Sequence, residues 1–509
     1  MGSVETPSSD LVQSGLADQN EEDSCFLDAR VHSIIAKSRE PGEEEIEFLL
    51  RRAGEFFTAV ITSSSVNTAS FKIAETLTIE SLVRVTTRAD PQEDLERPAK
   101  RRRSTSNHKL LQVYNIKVLS RAKSTLPEDR IVTHGASGES DPLSSEPYKG
   151  LIEDRLDNRL LDARVSSTAA IFKIFSGIHE LAVQFLRDAD FYHIATPALV
   201  SYMWPGEEDD HFSVPYLDGK TAWLAPTSEV HLSMALAADM QRVYDIHTVF
   251  RREPKSDGRH LTEFTMLELV FALKDSWTEI LDLADDLLVY IIRSLKEKER
   301  YKSLTQMAER LYPLAGSFQL GLDPKTGRLP RITFRKAKSL LRDSLGLDAR
   351  DEDDLSREEE AALGKLLSSP SSPIQPPTDI FIITHYPRHI RACNVYPSSP
   401  QHSPDPSPVD DDKANTTHSF DIILAGQEIV TGCQLLHSYQ DLREAFLKRT
   451  PPIYPDSPEW RTYMAAHELG MPPWGGFGLG INRLVQGFLG LADIRETVLF
   501  PRDASRLAP

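Results

Sequence analysis

The chain has 509 residues, a composition ordinary for a soluble protein and a formal net charge of −18 at pH 7. This length allows two or three domains, and the acidic total argues against a general nucleic-acid-binding surface, although a local basic patch can still bind phosphate. The three cysteines, Cys25, Cys393 and Cys433, are too few and too far apart for a disulfide framework or a zinc site, which favours a reducing, cytoplasmic location. No apolar run approaches the ~20 residues of a membrane helix, so no membrane association is expected.

The N-terminal part of the chain predicts a tail followed by a small barrel. Residues 1–24 are rich in Ser, Asp, Glu and Gln and lack periodicity, which indicates disorder. Residues 25–126 hold five strand-like segments between polar turns: ARVHSII, IEFLL, EFFTAVITS, LVRVTT and LLQVYNIKVLS. Such short strands are typical of an OB-fold β-barrel. The basic run KRRR at residues 100–103 is interpreted as a solvated loop or an import signal in preference to an RNA contact. A polar linker, residues 127–150, follows.

Residues 151–509 alternate helical and strand patterns, which predicts an α+β domain with an antiparallel sheet. Its first helix has apolar residues at the 3.6-residue period of a helix with one buried face: Ile171, Phe175, Ile178, Ala182 and Phe185. Segments such as TAWLA, DIILAG, EIVTGCQLL and ETVLFP are expected to supply the strands. Two Pro/Ser-rich stretches, near residues 367–377 and 397–418, are predicted to be mobile insertions.

Three separated segments resemble motifs 1, 2 and 3 of the class II aminoacyl-tRNA synthetases. They are DFYHIATPALV (190–200), TVFRREPKSDGRHLTEF (248–264) and GGFGLGINRLVQGFLGLADIRETVLFPR (475–502). Further segments resemble the aspartyl-tRNA synthetases of eukaryotic and archaeal type: FLLRRAGEF (48–56), RLDNRLLDAR (155–164), DEDDLS (351–356) and FPRDASRLAP (500–509). The resemblance implies a class II catalytic domain behind an OB-fold anticodon-binding domain. It also implies a cytoplasmic homodimer that uses ATP and Mg²⁺ to activate an amino acid and transfers it to an acceptor, normally tRNA.

The chemistry of amino-acid activation agrees with the residues of these motifs. A carboxylate that attacks the α-phosphate of ATP is already anionic and needs no general base. The resemblance assigns Arg251 to the α-phosphate and the substrate carboxylate, where bidentate geometry favours arginine over lysine. Glu253 is implied to accept from the adenine amino group and Phe264 to stack on adenine, while Arg259 and His260 reach the phosphate tail across a hairpin.

The third motif and a strand pair complete the implied ATP site. Gly478 and Gly480 are expected to let the backbone approach the nucleotide, and Arg483 to hold the γ-phosphate, so Arg251 and Arg483 are the implied catalytic pair. Asp421 and Glu428 match the carboxylates that hold Mg²⁺ with ATP, as hard oxygen ligands should.

The implied amino-acid pocket departs from the aspartate pattern. It comprises six positions: Glu229, Leu232, Glu268, Thr431, Leu435 and Trp474. Leu232 and Leu435 stand where aspartate enzymes have a lysine and an arginine, so no cation of the pattern is left for the β-carboxylate of aspartate. The ATP half is retained, which indicates a changed and perhaps apolar substrate acid, with Glu229 able to hold an ammonium group.

The OB-like domain offers Phe48 and Arg52 as positions that match RNA-contacting residues of the family. Phe48 is interpreted either as a ring that stacks on a base or as a core phenylalanine. Glu55 replaces a glutamine of the pattern and places a negative charge near the expected RNA. Two other functions stay open: a paralogue outside translation that adenylates a different amino or carboxylic acid, and a non-catalytic RNA-binding or regulatory protein.

Overall fold

The computed structural model describes residues 24–40, 43–52, 55–88, 109–123, 152–204, 207–398 and 415–508. The predicted tail up to residue 23, the basic run at 100–103, the linker at 127–150 and residues 399–414 of the second Pro/Ser-rich stretch lie outside the described residues. The chain divides into two compact units, Met1–Glu146 and Pro147–Pro509.

The N-terminal unit is a curved six-stranded sheet with one helix. Its strands are β1 (Ser24–Glu40), β2 (Glu43–Arg52), β3 (Glu55–Thr62), β4 (Leu82–Arg88), β5 (Lys109–Gln112) and β6 (Asn115–Ser120), in the order β5-β3-β2-β1-β4-β6. Helix α1 (Thr68–Glu75), which sequence patterns missed, lies between β3 and β4, and Asn67 caps it by accepting from the backbone N–H of Ser70 at 2.8 Å.

The two edge strands of this sheet, β5 and β6, are joined by a two-residue connection, and the sheet curves into a half-barrel. The segment predicted as one strand, LLQVYNIKVLS, forms both β5, parallel to β3, and β6, antiparallel to β4. Between them, Val113 N donates to Val60 O and Tyr114 N donates to Thr86 O, both at 2.9 Å. The arrangement agrees with the predicted OB-type fold.

Phe48 lies inside this barrel, which agrees with its interpretation as a core phenylalanine and not with its interpretation as a ring that stacks on a base. Its side chain is 1% exposed and belongs to the hydrophobic core. Ile46 and Leu50, each two residues away, point to the same inner face of β2. A ring enclosed in this way is not accessible to a nucleotide. Arg52 lies at the exposed end of the same strand.

The C-terminal unit is built on an eight-stranded sheet. The strands are β7 (Tyr192–His193), β11 (Arg242–Phe250), β12 (Glu263–Ala272), β13 (Arg331–Thr333), β14 (Ile380–Thr384), β15 (Ser419–Leu424), β16 (Gln427–Leu435) and β17 (Trp474–Gly480), in the order β13-β14-β15-β16-β17-β12-β11-β7. Only the outermost pairs, β13 with β14 and β7 with β11, are parallel. A second sheet holds β8 (Leu199–Val200), β9 (Ser213–Pro215) and β10 (Thr221–Leu224). The predicted strand ETVLFP instead begins as a 3-10 turn at Ile494–Thr497.

Helices cover both faces of the large sheet. They are α2 (Ile152–Asp157), α3 (Arg159–Asp162), α4 (Ser166–Asp188), α5 (Glu229–Ala237), α6 (Thr278–Glu297), α7 (Glu299–Glu309), α8 (Phe334–Leu345), α9 (Arg357–Ser368), α10 (Tyr439–Lys448), α11 (Arg461–Glu468) and α12 (Ile481–Leu489). The fold class is therefore α+β, as predicted.

Helix α4 is the amphipathic helix expected from its apolar period. Ile171, Ile178 and Ala182 are fully buried, and Phe175 and Phe185 pack against the same core. Among the described residues α4 alone passes, by length and composition, the test for a helix that could span a membrane. Its buried side chains belong to the core between the helices and the sheet, and core helices commonly pass that test.

The large sheet has one face for the core and one for a cleft. Along β12, Leu267, Leu269 and Phe271 pack into the core with α4, α6 and α12. Side chains alternate along a strand, so Met266 and Glu268 lie on the opposite face, which is the floor of the cleft.

The first Pro/Ser-rich stretch, predicted to be a mobile insertion, forms a hydrogen-bonded turn after helix α9. Residues up to Ser368 end helix α9, and the turn that follows is hydrogen bonded: Ser372 N donates to Ser369 O at 3.0 Å, and Thr378 N donates to Leu367 O at 3.0 Å. Ser372 is buried. The proline-rich composition here supports a defined chain reversal before β14.

Candidate active site

Strands β11 and β12 form the hairpin predicted from the second motif, with Phe250 opposite Glu263. Asp257 organises the connection, because its carboxylate accepts from Arg259 N at 2.9 Å and lies 3.0 Å from Nδ1 of His260. Gly258 has a φ of +75°, a left-handed conformation that favours glycine. The polar turn therefore holds two of the predicted phosphate ligands in place.

A cavity of about 310 Å³ lies between this hairpin and the start of α12. All nine residues to which the resemblance assigns ATP line it: Arg251, Glu253, Arg259, His260, Phe264, Glu428, Gly478, Gly480 and Arg483. The guanidinium carbon of Arg251 lies 5.5 Å from the centroid of the Phe264 ring. A Cβ at Gly478 would lie 2.4 Å from the methyl group of Met266, so a side chain there would fill the cavity.

Three arginines give this cavity a strong preference for anions. Burial lowers the pKa of Arg483, and the nearby charges of Arg259 and Arg251 lower it further, while Glu428 opposes them. Arg259 donates to Glu360 at 2.8 Å, and Arg483 donates to the backbone oxygen of Glu428 at 3.0 Å. Glu360 and Glu428 offset part of this positive charge, and an anion bound between the arginines would offset the rest.

Two acidic residues predicted to hold a metal lie on adjacent strands, β15 and β16. Burial raises the pKa of Glu428 to about 7, and the charge of Asp421 adds to the effect. One carboxylate oxygen of Asp421 accepts from Arg391 at 2.6 Å, and the other is buried without a hydrogen-bond donor. Thr431 donates to Glu428 at 2.9 Å. Within the described residues no group of three or more His, Cys, Asp or Glu side chains forms a ready-made metal site.

A second cavity, of about 890 Å³, opens beside the first and shares Arg251, Met266, Thr431 and Gly478 with it. Four of the six positions predicted for the amino-acid pocket line this second cavity: Glu229, Glu268, Thr431 and Leu435. Arg251 thus stands at the junction of the two cavities, where a group bound in one can react with a group bound in the other.

Two carboxylates of the second cavity differ in protonation. Burial raises the pKa of Glu229 to about 7, helped by the charge of Glu268 and opposed by the Asn394 amide. Burial also tends to raise the pKa of Glu268, but hydrogen bonds from His247, Ser228 and Thr227 outweigh it and leave that pKa lowered. Glu268 therefore favours the ionised form, whereas Glu229 holds a proton more readily than an ordinary glutamate.

Leu232 and Trp474 do not line this cavity, contrary to prediction. Both are 0% exposed and belong to a hydrophobic cluster with Leu236, Val243 and Met471, to which the cavity-lining Leu435 and Val395 also belong. Leu232 lies one turn inside α5, whereas the cavity meets only the N-terminal turn of that helix at Glu229 and Val230. The two side chains support the cavity from behind.

Several residues that the sequence did not indicate belong to the site. Glu360 on α9 orients Arg259, and His247 on β11 orients Glu268 at 2.8 Å. Arg391, Asn394 and Cys433 line the second cavity. The segment that contains Arg391 and Asn394 shows no motif of its own, and because it also holds Arg388 and His389, nothing in the sequence singles out Arg391.

Comparisons with known proteins agree with the motifs. The family of class II tRNA synthetases (D, K and N) matches residues 152–504. The chain is 30% identical over 497 residues to the cytoplasmic aspartate–tRNA ligase of Homo sapiens, covering 96% of this chain and 89% of that protein. It is 31% identical over 394 residues to the aspartate–tRNA(Asp) ligase of Pyrococcus horikoshii, with coverage of 77% and 78%. The solved structure of asparaginyl-tRNA synthetase from Pyrococcus horikoshii, complexed with asparaginyl-adenylate, matches with a TM-score of 0.73 at 25% identity and covers 96% of both chains.

Proposed function

The chain belongs to the class II tRNA synthetases of the D, K and N group, and we propose that it is an ATP-dependent ligase that activates an amino acid and transfers it to tRNA. The observation that carries this proposal is the position of Arg251 at the junction of an arginine-lined cavity and a carboxylate-lined cavity. One cavity suits a nucleoside triphosphate, and the other suits an amino acid.

In the first step a carboxylate oxygen of the amino acid attacks the α-phosphorus of ATP. The bond from that phosphorus to the bridging oxygen of the β-phosphate breaks, and pyrophosphate leaves. Arg251 stabilises the charge that develops between the two reactants, and Arg483 binds the departing phosphates. Phe264 and Glu253 position the adenine, while Arg259 and His260 hold the phosphate tail. In the second step a ribose hydroxyl of tRNA attacks the carbonyl carbon, and AMP leaves.

Asp421 and Glu428 fit a role as Mg²⁺ ligands. Mg²⁺ is usually held by one or two carboxylates together with substrate phosphates, so these two side chains suffice. The desolvated Glu428 and the unpartnered oxygen of Asp421 are both suited to a divalent cation. When bound, the ion would neutralise charge on the phosphates of ATP.

We assign residues 151–509 to catalysis and residues 25–126 to tRNA binding, with Arg52 as a phosphate or base contact in the barrel. A cytoplasmic location is proposed from relatives described as cytoplasmic aspartate–tRNA ligases in Homo sapiens and Arabidopsis thaliana. A homodimer is proposed because the first motif carries exposed large apolar side chains, Tyr192 and Leu199, of the kind that interfaces cover. Light scattering of the purified chain would report one mass or twice that mass.

The direct test of the proposed function is amino-acid-dependent exchange of pyrophosphate into ATP, followed by aminoacylation of total tRNA. The proposal expects both reactions from the wild-type chain. If exchange is absent with all twenty amino acids, in the presence and absence of tRNA, the proposal is wrong.

A further inference from the structure

We propose that the amino-acid cavity selects a substrate with an uncharged side chain and rejects aspartate. This inference rests on the proposed function, because it concerns which amino acid the second cavity takes. The curated relatives described above are aspartate–tRNA ligases, so the inference separates this chain from them in substrate class.

The charged groups fix how an amino acid lies in the cavity. Glu229 and Glu268 form an acidic corner that suits the ammonium group. Arg251, at the junction with the ATP cavity, suits the carboxylate. With both ends held, the side chain of the substrate points toward the remaining wall of the cavity.

That wall is apolar, as the register of the sheet shows. Glu268, Gly478 and Thr431 are neighbours across three strands. Two residues further along the same strands come Val270, Gly476 and Cys433, and after them Ala272, Trp474 and Leu435. Cys433 and Leu435 line the cavity beyond the acidic corner, and Val395 pairs with Leu435 through an isolated β-bridge.

The wall is backed by the hydrophobic cluster that contains Leu232 and Trp474. Leu435 is itself 3% exposed. A carboxylate placed against these side chains would lose its hydration without gaining a partner, which is strongly unfavourable.

The cations that line the cavity are engaged elsewhere or lie in solvent. Arg391 donates to Asp421 at 2.6 Å, and its guanidinium carbon lies 3.8 Å from the centroid of the Tyr386 ring. Asp421 lies opposite Thr431 across β15 and β16, so the pair draws Arg391 toward the Thr431 end of the cavity, four residues along β16 from Leu435.

The other cations follow the same pattern. Arg449 donates to Glu207 at 2.9 Å, and Lys448 pairs with Glu444 at 3.0 Å. Arg388 is exposed. Among the described residues, no hydrogen bond or ion pair joins these cations to Leu435 or Val395, whereas the charge of Arg391 does act on Cys433.

Asn394 adds a repulsive element. It lines the cavity, is almost fully buried, and its amide interacts with Glu229. Its Oδ1 atom is buried without a hydrogen-bond donor. Because this oxygen lies beside Glu229, it can accept a hydrogen bond from the ammonium group of the substrate, and it repels a carboxylate that enters the same corner.

The experiment is pyrophosphate exchange by the full-length wild-type chain with each of the twenty amino acids. We expect kcat/KM for aspartate to be lower than for the best uncharged amino acid by roughly 30- to 5,000-fold, the range for a buried charge that lacks its partner. Exchange that is fastest with aspartate would overturn the inference while leaving amino-acid activation intact. No exchange with any amino acid would overturn both the proposed function and this inference.

A variant provides a second measurement. Leu435→Arg places a cation on the apolar wall, and we expect it to raise kcat/KM for aspartate relative to the preferred substrate at least tenfold. Leu469→Arg is the matched control, because Leu469 is 79% exposed and lies outside the cavity. An equal change in both variants would contradict the placement of Leu435. If Leu435→Arg does not fold, calorimetry on the wild-type chain measures the dissociation constants of aspartate and of the preferred amino acid. Tighter binding of aspartate would overturn the inference.

Discussion

Arg391 and Asp421 are 30 residues apart in the sequence and form an ion pair in which Nη2 of Arg391 donates to Oδ2 of Asp421 at 2.6 Å. Both side chains are largely buried. The ring of Tyr386 stacks on the guanidinium group, and the distance from the guanidinium carbon of Arg391 to the ring centroid is 3.8 Å. The pair thus anchors the segment between β14 and β15, which carries Asn394 and Val395 along the wall of the amino-acid cavity.

Breaking this pair from one side should cost stability. Arg391→Ala leaves the Asp421 carboxylate buried without its donor, and we expect the free energy of unfolding to fall by about 3–5 kcal/mol. The double variant Arg391→Ala, Asp421→Asn removes the orphaned charge and should lose less. Urea unfolding measures both. Arg443→Ala, which breaks an exposed pair with Asp456, is the control and should leave stability unchanged. Equal losses in the single and double variants would show that the pair is not coupled.

Glu229 should give the reaction a pH dependence near neutrality. The groups that face it are Glu268, Cys433, Tyr202 and Tyr463. Burial raises the pKa of Cys433 and of both tyrosines, so these groups are neutral and Glu268 alone is charged. The pKa of Glu229 is raised to about 7, and only its ionised form attracts an ammonium group. The value of kcat/KM for the amino acid should therefore rise with pH through a midpoint of about 7 and reach a plateau above it.

The matching variant is Glu229→Gln, which keeps the shape of the side chain and cannot ionise. It should lower kcat/KM for the amino acid and abolish this rising limb, with little change in KM for ATP. A rising limb with the same midpoint in the variant would assign the titration to another group.

In the N-terminal barrel, we expect Phe48 to contribute to stability and Arg52 to contribute to tRNA binding. Phe48→Ala removes a buried ring and should lower the free energy of unfolding of the N-terminal unit by about 3–5 kcal/mol. Arg52→Ala should leave stability unchanged, because the residue is exposed at a strand end, and should weaken tRNA binding. Thermal unfolding and filter binding of the full-length variants compare the two. A stable Phe48→Ala variant with weakened tRNA binding would restore the base-stacking role.

The nine residues that the resemblance assigned to ATP do line one cavity, and most of them are close together in the chain. Arg251, Glu253 and Phe264 fall within one hairpin, and Gly478 and Arg483 within one strand–helix turn, so local patterns are sufficient to place them. The three-dimensional step that remains is the pairing of β12 with β17, which brings the two segments into contact.

The amino-acid cavity was predicted less well because its walls come from distant segments. Whether a leucine on α5 faces the cavity depends on how that helix packs, and Leu232 faces the core while Glu229 reaches the cavity. The placement of Trp474 also depends on packing, because this residue lies at the end of β17 that extends beyond the cavity floor. Arg391 is positioned by an ion pair to β15 across the second Pro/Ser-rich stretch, and no local pattern encodes such a contact.

The most direct test of the whole account compares two neighbouring arginines in pyrophosphate exchange. Arg251 stands where the two cavities join, whereas the side chain of Arg252 turns toward Asp209, with 3.4 Å between Nη1 and Oδ1. Arg251→Ala should lower kcat for exchange by at least about 100-fold, the typical effect of removing a group that stabilises transition-state charge, while thermal unfolding stays unchanged. Arg252→Ala should stay within a few-fold of wild type. Wild-type exchange in Arg251→Ala, or equal losses in the two variants, would contradict the assignment of the junction between the cavities as the place of reaction.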